Sequence, residues 1–469
     1  MYTFSSKFKL FSLILMIIGL VGITYGFLSA PSNVDDVKEI LAAQGGHGEG
    51  HGSDHESQET VQHGEQHNGG GHETNFVDQA RGEQGYSEAA MAHDKDMGEE
   101  AHQDEEHMEH VLHQMQAKPW SATFVAAFFF MMIALGALVF YAIQYAAQAG
   151  WSPVLYRVIE GITTYLLPGS VIVFLIVVFA GTHFYPWQNE ELVAHDTILQ
   201  DKSGYLNFPF FLIRAIIYLL GWNLYRHFSR KNSLRVAESV GLDPYKRNFK
   251  FSVFFLVFFI ITESTMAWDW FMSMTPHWYS TLFAWYVFAS MFVSAITVIA
   301  LTTIFLKSRG LLSFVNDSHL HDLAKFMFAF SIFWTYLWFG QFMLIWYANI
   351  PEEVTYFILR IQEYNLLFFG MLVLNFVFPI LLLMNSDFKR IPWFVVMTGI
   401  VILVGHYIDI FLLVMPSTVG PYWSFGISEI AGICFFLGLF VFVVGTGLAK
   451  VSLRPEGDPF IKESENYHY

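Results

Sequence analysis

Few residues in the apolar stretches of this chain can do acid–base work, and their spacing sorts them. Arg360 and Glu363 stand three apart, on one face of any helix that carries them, where a cation and a carboxylate can pair. His406 and Asp409 repeat that spacing. A carboxylate so placed orients the imidazole and makes a couple suited to taking up and releasing protons near neutral pH. These four residues suit hydrogen bonding to a quinol hydroxyl, or the passage of protons. A second set comprises Arg214, Glu263 and Asp269, with His183 at the end of the preceding apolar stretch. A third, His321, Asp322 and Lys325 in the run SHLHDLAK, falls within about one helical turn. It reads either as a proton entry on the opposite face or as a solvated helix start capped by Ser318. Arg360–Glu363 also fits a plain structural pair, and Asp269 and Glu429 lie near enough to the expected interface to be structural too.

The residue types exclude other chemistry. The one cysteine, Cys434, sits in an apolar run. No disulfide framework, CxxC pair, thiolate iron–sulfur or zinc site, or CxxCH haem attachment can be built from it. Only His406 among the histidines outside residues 29–120 lies well inside an apolar run, so a bis-histidine haem is not expected. No catalytic residue and no metal ligand is assigned to the chain, and no redox cofactor of its own.

Positioning these residues requires helices in a bilayer. Of 469 residues 54% are hydrophobic and only 14% charged, against roughly 25% charged in soluble domains. Ten runs approach the ~20 residues that a spanning helix needs: 9–28, 121–147, 165–185, 208–227, 251–273, 279–306, 322–348, 357–384, 391–412 and 427–449. The fold expected is an all-α polytopic membrane protein. The first run, preceded by Lys7 and Lys9, is read as a retained anchor (1–28) rather than a cleaved signal, because it is long and Pro31 follows Ala30 directly. Ten spans put the basic loops on one side, among them Arg226, Arg230, Lys231, Lys307, Lys389 and Lys450. Glu190, Glu191, Glu352 and Glu353 fall on the other. The positive-inside rule then predicts both termini in the cytoplasm.

The net charge of −16 belongs to one segment. Residues 29–120 hold 20 Asp/Glu, 4 Lys/Arg and 11 of the 19 histidines. The segment reads as periplasmic and largely disordered, most clearly over 44–75, with a polar helix over 97–116 leading into the second span. His107, His110 and His113 on one helical face are its one local geometry that suggests metal. Nothing suggests nucleic-acid binding.

An internal echo sets the arrangement of the spans. FFLIRAII (210–217) matches YFILRIQE (356–363), each placing an arginine about one turn into the membrane. ESTMAWDWFMSMTPHWYS (263–280) matches HYIDIFLLVMPSTVGPYWS (406–424). The repeat unit is four spans, an even number, so the copies are parallel. This predicts two four-helix bundles, spans 2–5 (121–275) and 6–9 (276–412), with span 1 and the segment 413–469, which holds span 10, outside them.

Two stretches carry a resemblance: WDWFMSMTPHWYSTLFAWYVFAS (268–290) and HDLAKFMFAFSIFWTYLWFGQFMLIWYANIPEE (321–353). They resemble the ActF-type integral membrane subunits of bacterial alternative complex III, within the NrfD/polysulphide-reductase membrane-anchor family. The resemblance covers roughly 120–450 and excludes the acidic segment. It implies two four-helix bundles and a subunit of a quinol-oxidising, electron-transporting complex of the respiratory chain. The implied partners are a paralogous NrfD-like membrane subunit, an iron–sulfur/molybdopterin-like subunit and c-type cytochrome subunits, with a terminal oxidase as an optional addition. Haem c and iron–sulfur clusters would sit on those partners. Menaquinol or another quinone is the ligand the resemblance allows, and the paralogous subunit is the better candidate to hold it. In that picture His321, Asp322 and Lys325 form the inner mouth of a proton path, Glu263 its middle, and Arg360, Glu363, His406 and Asp409 its outer side. Two other classes stay open at this point, a proton-coupled secondary transporter and a pure membrane scaffold.

Overall fold

A computed structural model describes residues 2–45, 85–238 and 241–468. The expectation of disorder over 44–75 lies almost wholly outside them. The chain divides into two units, residues 31–113 and the remainder. In the first, the described residues form helix Val34–Gly45 and helical turns from 85 onward. So the polar helix before the second span starts earlier than the 97 expected.

Among the described residues ten helices are long and apolar enough to cross a membrane. They are α1 (Ser6–Leu28), α2 (His107–Ala146), α3 (Pro153–Phe179), α4 (Phe208–Glu238), α5 (Asp243–Met274), α6 (Phe283–Ser308), α7 (Asp317–Ala348), α8 (Asn365–Leu383), α9 (Pro392–Thr418) and α10 (Ile427–Ala449). Among the described residues there is no strand. The chain is an all-α, multi-pass membrane protein. In a bilayer a helix satisfies its own backbone, which is why apolar runs of this length adopt no other form.

Packing produces two closed groups of four. Helix α2 touches α3 through Tyr141 and Tyr156 and touches α5 through Phe128 and Phe271. Helix α4 packs between α3 and α5. In the second group α6 packs on α7 and α9, and α8 closes the ring against the same two helices. The groups meet where Phe140 of α2 faces Phe292 of α6. Accordingly α2 is the most enclosed span and α1 the least. Helix α1 lies along α10. A Cβ on Gly19 would fall within 2.6 Å of the Phe435 backbone, so only glycine allows this approach. Close packing of this kind replaces the hydrophobic drive that lipid does not supply.

The expected eighth span, 357–384, is not one helix. Ile350 is extended and Pro351 opens a separate amphipathic helix, Pro351–Gln362, with Glu352 and Glu353 in its first turn. That helix ends at Glu363, whose carbonyl accepts from the Trp423 indole at 3.0 Å. Tyr364 stacks on Trp423 and donates to the Gly420 carbonyl at 2.6 Å. The anchored corner turns the chain before α8 begins. Within α8, residues Val373–Val377 form a π-turn just ahead of Pro379. Proline removes a backbone donor there, and the widened turn accommodates the loss.

Candidate functional site: buried polar clusters between the helices

One buried cluster joins α6, α7 and α9. His406 and Asp409 are both fully buried, with His406 Nδ1 3.5 Å from Asp409 Oδ2. The closer partners come from other helices. Trp334 Nε1 donates to Asp409 Oδ2 at 3.0 Å, and the Tyr286 hydroxyl donates to Asp409 Oδ1. His406 Nδ1 shares a 3.0 Å hydrogen bond with the Ser290 hydroxyl. Tyr286 and Ser290 are four apart on α6, His406 and Asp409 three apart on α9, so two polar faces meet. Sequence reading found only the α9 half. Tyr286 and Trp334 carry no signal along the chain that singles them out, because packing fixes the register of α6 and α7 against α9.

His406 Nε2 has no hydrogen-bond partner, and neither do Asn375 Oδ1 and Nδ2 in the π-turn. Gly405 sits against Asn375; a Cβ there would stand 2.0 Å from its Oδ1. The glycine beside His406 thus admits a buried amide between α8 and α9.

Arg360 lies apart from this cluster. It is 4% exposed and stacks on Tyr356 at 3.4 Å from the ring centroid. Its Nη1 donates to the Tyr356 carbonyl at 2.8 Å and its Nε to the Leu412 carbonyl at 3.2 Å. The expected Arg360–Glu363 pair does not form. Glu363 caps the end of Pro351–Gln362 and is exposed, because the helix stops there instead of running on into α8. Arg360 Nη2 and Gln341 Oε1 have no hydrogen-bond partner. Both residues line a cavity of about 20 Å³ that also touches Tyr286. That is room for about one water, too little for a quinone ring. Tyr286 therefore connects the Arg360 cavity to Asp409.

In the first bundle the equivalent charges close on each other. Arg214 binds Asp269 through Nε at 2.8 Å and Nη2 at 2.9 Å, a bidentate pair with Asp269 fully buried. Arg214 also stacks on Tyr205 and donates to its carbonyl at 3.1 Å, as Arg360 does with Tyr356. Asp269 is therefore packed between helices near the end of α5. Glu263 is not part of this pair; it faces a separate pocket between α2, α5 and α6. His183 sits in the short helix Gly181–Phe184 beyond α3 and stacks with Trp120 of α2. Glu429 accepts from the Gly426 backbone N–H at 2.8 Å, in a cap at the start of α10.

At the basic end His321, Asp322 and Lys325 do assemble. Lys325 Nζ is 2.5 Å and His321 Nδ1 3.6 Å from Asp322 Oδ1. The C-terminal segment covers them: Tyr467 donates to Asp322 Oδ2 at 2.8 Å, and His319 Nε2 meets the Ser464 carbonyl at 3.0 Å. A fourth network escaped the sequence reading. Glu160 pairs with Arg157 at 2.9 Å and with Arg230, and accepts from Tyr141 at 3.1 Å. Arg230, a loop charge on the sequence pattern, lies on α4, which continues to Glu238. Arg157 and Glu160, three apart, were the available signal.

Among the described residues no group of three or more His, Cys, Asp or Glu side chains could hold a metal ion. Fold and clusters define a class: a polytopic helical membrane protein with several buried, hydrogen-bonded sets of ionisable side chains. No known family model matches the chain, and no curated protein matches it.

Proposed function

We propose that this chain is an integral subunit of a quinol:electron-acceptor oxidoreductase of the alternative complex III type, and that it carries protons rather than electrons. One observation carries the proton half of this reading: the fully buried chain Ser290–His406···Asp409–Tyr286, which ends at the Arg360 cavity. Ionisable residues inside a membrane are costly and mark ion or proton pathways. A hydroxyl, a carboxylate and an imidazole in contact can hand a proton along: from a water beside Arg360 to the Tyr286 oxygen, to Asp409, to His406. His406 Nε2 is then the exit atom. The size of the Arg360 cavity favours water over a quinone ring there.

The oxidoreductase half rests on the resemblance of residues 268–290 and 321–353 to ActF-type subunits. Electrons would run through haem c and iron–sulfur clusters on partner subunits, and the chain would lie in a bacterial inner membrane with both termini cytoplasmic. Purification from native membranes tests this directly. A subunit of this kind brings c-type cytochromes, an iron–sulfur protein and a paralogous membrane chain; a transporter comes alone or as a homo-oligomer, which would refute the assignment. Replacing His406 by Ala is expected to slow quinol oxidation or uncouple it from proton movement while the complex still assembles. Unchanged turnover and coupling would leave the chain as a scaffold.

A further inference from the structure

Glu263 stands outside every hydrogen-bonded cluster described above. It is 4% exposed, and its Oε1 is buried without a hydrogen-bond donor. It lines a pocket of about 230 Å³ whose other walls are apolar and aromatic: Phe259 of α5, Phe288 and Trp285 of α6, Val139 of α2. Ser264, the one other polar residue there, donates its hydroxyl to the Ile260 carbonyl. The wall residues Ile260 and Trp285 are 52% and 47% exposed. Their neighbours Val257 and Ile261 are also exposed on the same helix, so the mouth opens on the lipid-facing surface of α5 and α6.

We infer that this pocket is a binding site for an apolar ring bearing a hydroxyl, entering from the bilayer, with the hydroxyl donating to the Glu263 carboxyl. Leaving a buried carboxyl oxygen without a donor is costly, and a ligand hydroxyl relieves that cost where no protein group does. The volume suits one ring: an apolar cavity of ~150 Å³ stays dry and takes up benzene. Phe259, Phe288 and Trp285 offer faces and edges for an aromatic ring to pack against. Ligand sites elsewhere have the same plan, mostly apolar walls with a few polar groups that fix orientation. None of the pocket's lining residues belongs to the Tyr286–Asp409–His406 cluster, so the site stands or falls apart from the proton relay proposed above; a quinol is one molecule of the class it would take.

The test uses the full chain in proteoliposomes and a phenol carrying a photoreactive diazirine, with the matching benzene as control. The phenol is expected to label the segments 256–264 and 285–288, and 4-hexylphenol to compete where hexylbenzene does not. Glu263→Leu should reduce labelling at least tenfold. Val139→Phe, which fills the pocket and keeps the acid, should do the same. Glu263→Gln keeps a carbonyl acceptor and should retain most of the labelling, which separates loss of the acceptor from loss of the fold. Equal labelling by both probes, or labelling indifferent to Glu263→Leu in a variant that Glu263→Gln shows to be tolerant, overturns the site. Competition by dodecanol as strong as that by 4-hexylphenol would identify a lipid alcohol as the source and overturn the ring.

Discussion

Arg214 grips Asp269 with two hydrogen bonds, whereas its counterpart in the second bundle, Arg360, makes none with Asp409. Both arginines stack on a tyrosine and donate to that tyrosine's carbonyl. The two bundles thus keep one cradle for the cation and differ in what happens to the acid. In the first it neutralises the arginine. In the second Tyr286 and Trp334 hold it, and Tyr286 stands between acid and cavity.

The closed pair should behave as structure. Asp269→Asn leaves Arg214 buried without its counter-charge, and breaking one side of a buried pair costs about 3–5 kcal/mol. Yield and thermal midpoint of the purified protein should fall. Arg214→Met combined with Asp269→Leu should recover most of the loss. If the single variant is as stable as the parent, the pair is not a structural lock.

Tyr286→Phe removes one donor from Asp409 and keeps the ring. A stability loss of about 1–3 kcal/mol is expected from the weakened hydrogen bonding of a buried carboxyl. Turnover coupled to proton movement should fall about tenfold or more, with an altered pH profile, in membranes that contain normal amounts of the complex. A change in stability without a change in the pH profile would confine Tyr286 to packing.

The tail after α10 should loosen with rising pH. Asp458 is 6% exposed; burial pushes its carboxyl up from 3.8 to about 6, against the pull of the Phe460 N–H and of Arg157. Between about pH 4 and pH 6 the docked form holds a proton that the released form has lost. Docking is therefore strongest below that window and weakens as pH rises through it, with no further change above. Limited proteolysis after Lys450 should become faster from pH 4.5 to 6.5. In Asp458→Asn the rate should be slow and flat; an unchanged pH response in that variant would exclude Asp458.

The α1–α10 contact should fail on one added side chain. Gly19→Leu drives a branched side chain into the Phe435 backbone, and overpacking of this kind costs about 1–3 kcal/mol or more. Cross-linking of α1 to α10 should fall, while Leu20→Ala, on an exposed position, should leave it unchanged. Equal cross-linking in both would dismiss the glycine contact.

The sequence by itself determined that the chain is helical and holds ten runs long and apolar enough to cross a membrane, because bilayer thickness and backbone satisfaction leave such a run no other form in lipid. It also determined which local pairs exist on one helix: His406 with Asp409, and Asp322 with His321 and Lys325, since spacing along a helix is fixed by 3.6 residues per turn. Only the tertiary structure decided which faces meet. It brought Tyr286, Ser290 and Trp334 to the His406–Asp409 face and joined Arg214 to Asp269 across 55 residues. It also carried Arg230 to Glu160. Composition could not reveal that Pro351–Gln362 is a separate helix, because the apolar run continues through a break fixed by Tyr364, Trp423 and Gly420. That break undid the Arg360–Glu363 pair. Distances across helices depend on packing and on corners held by side chains far apart in the chain, and no one-dimensional period encodes them.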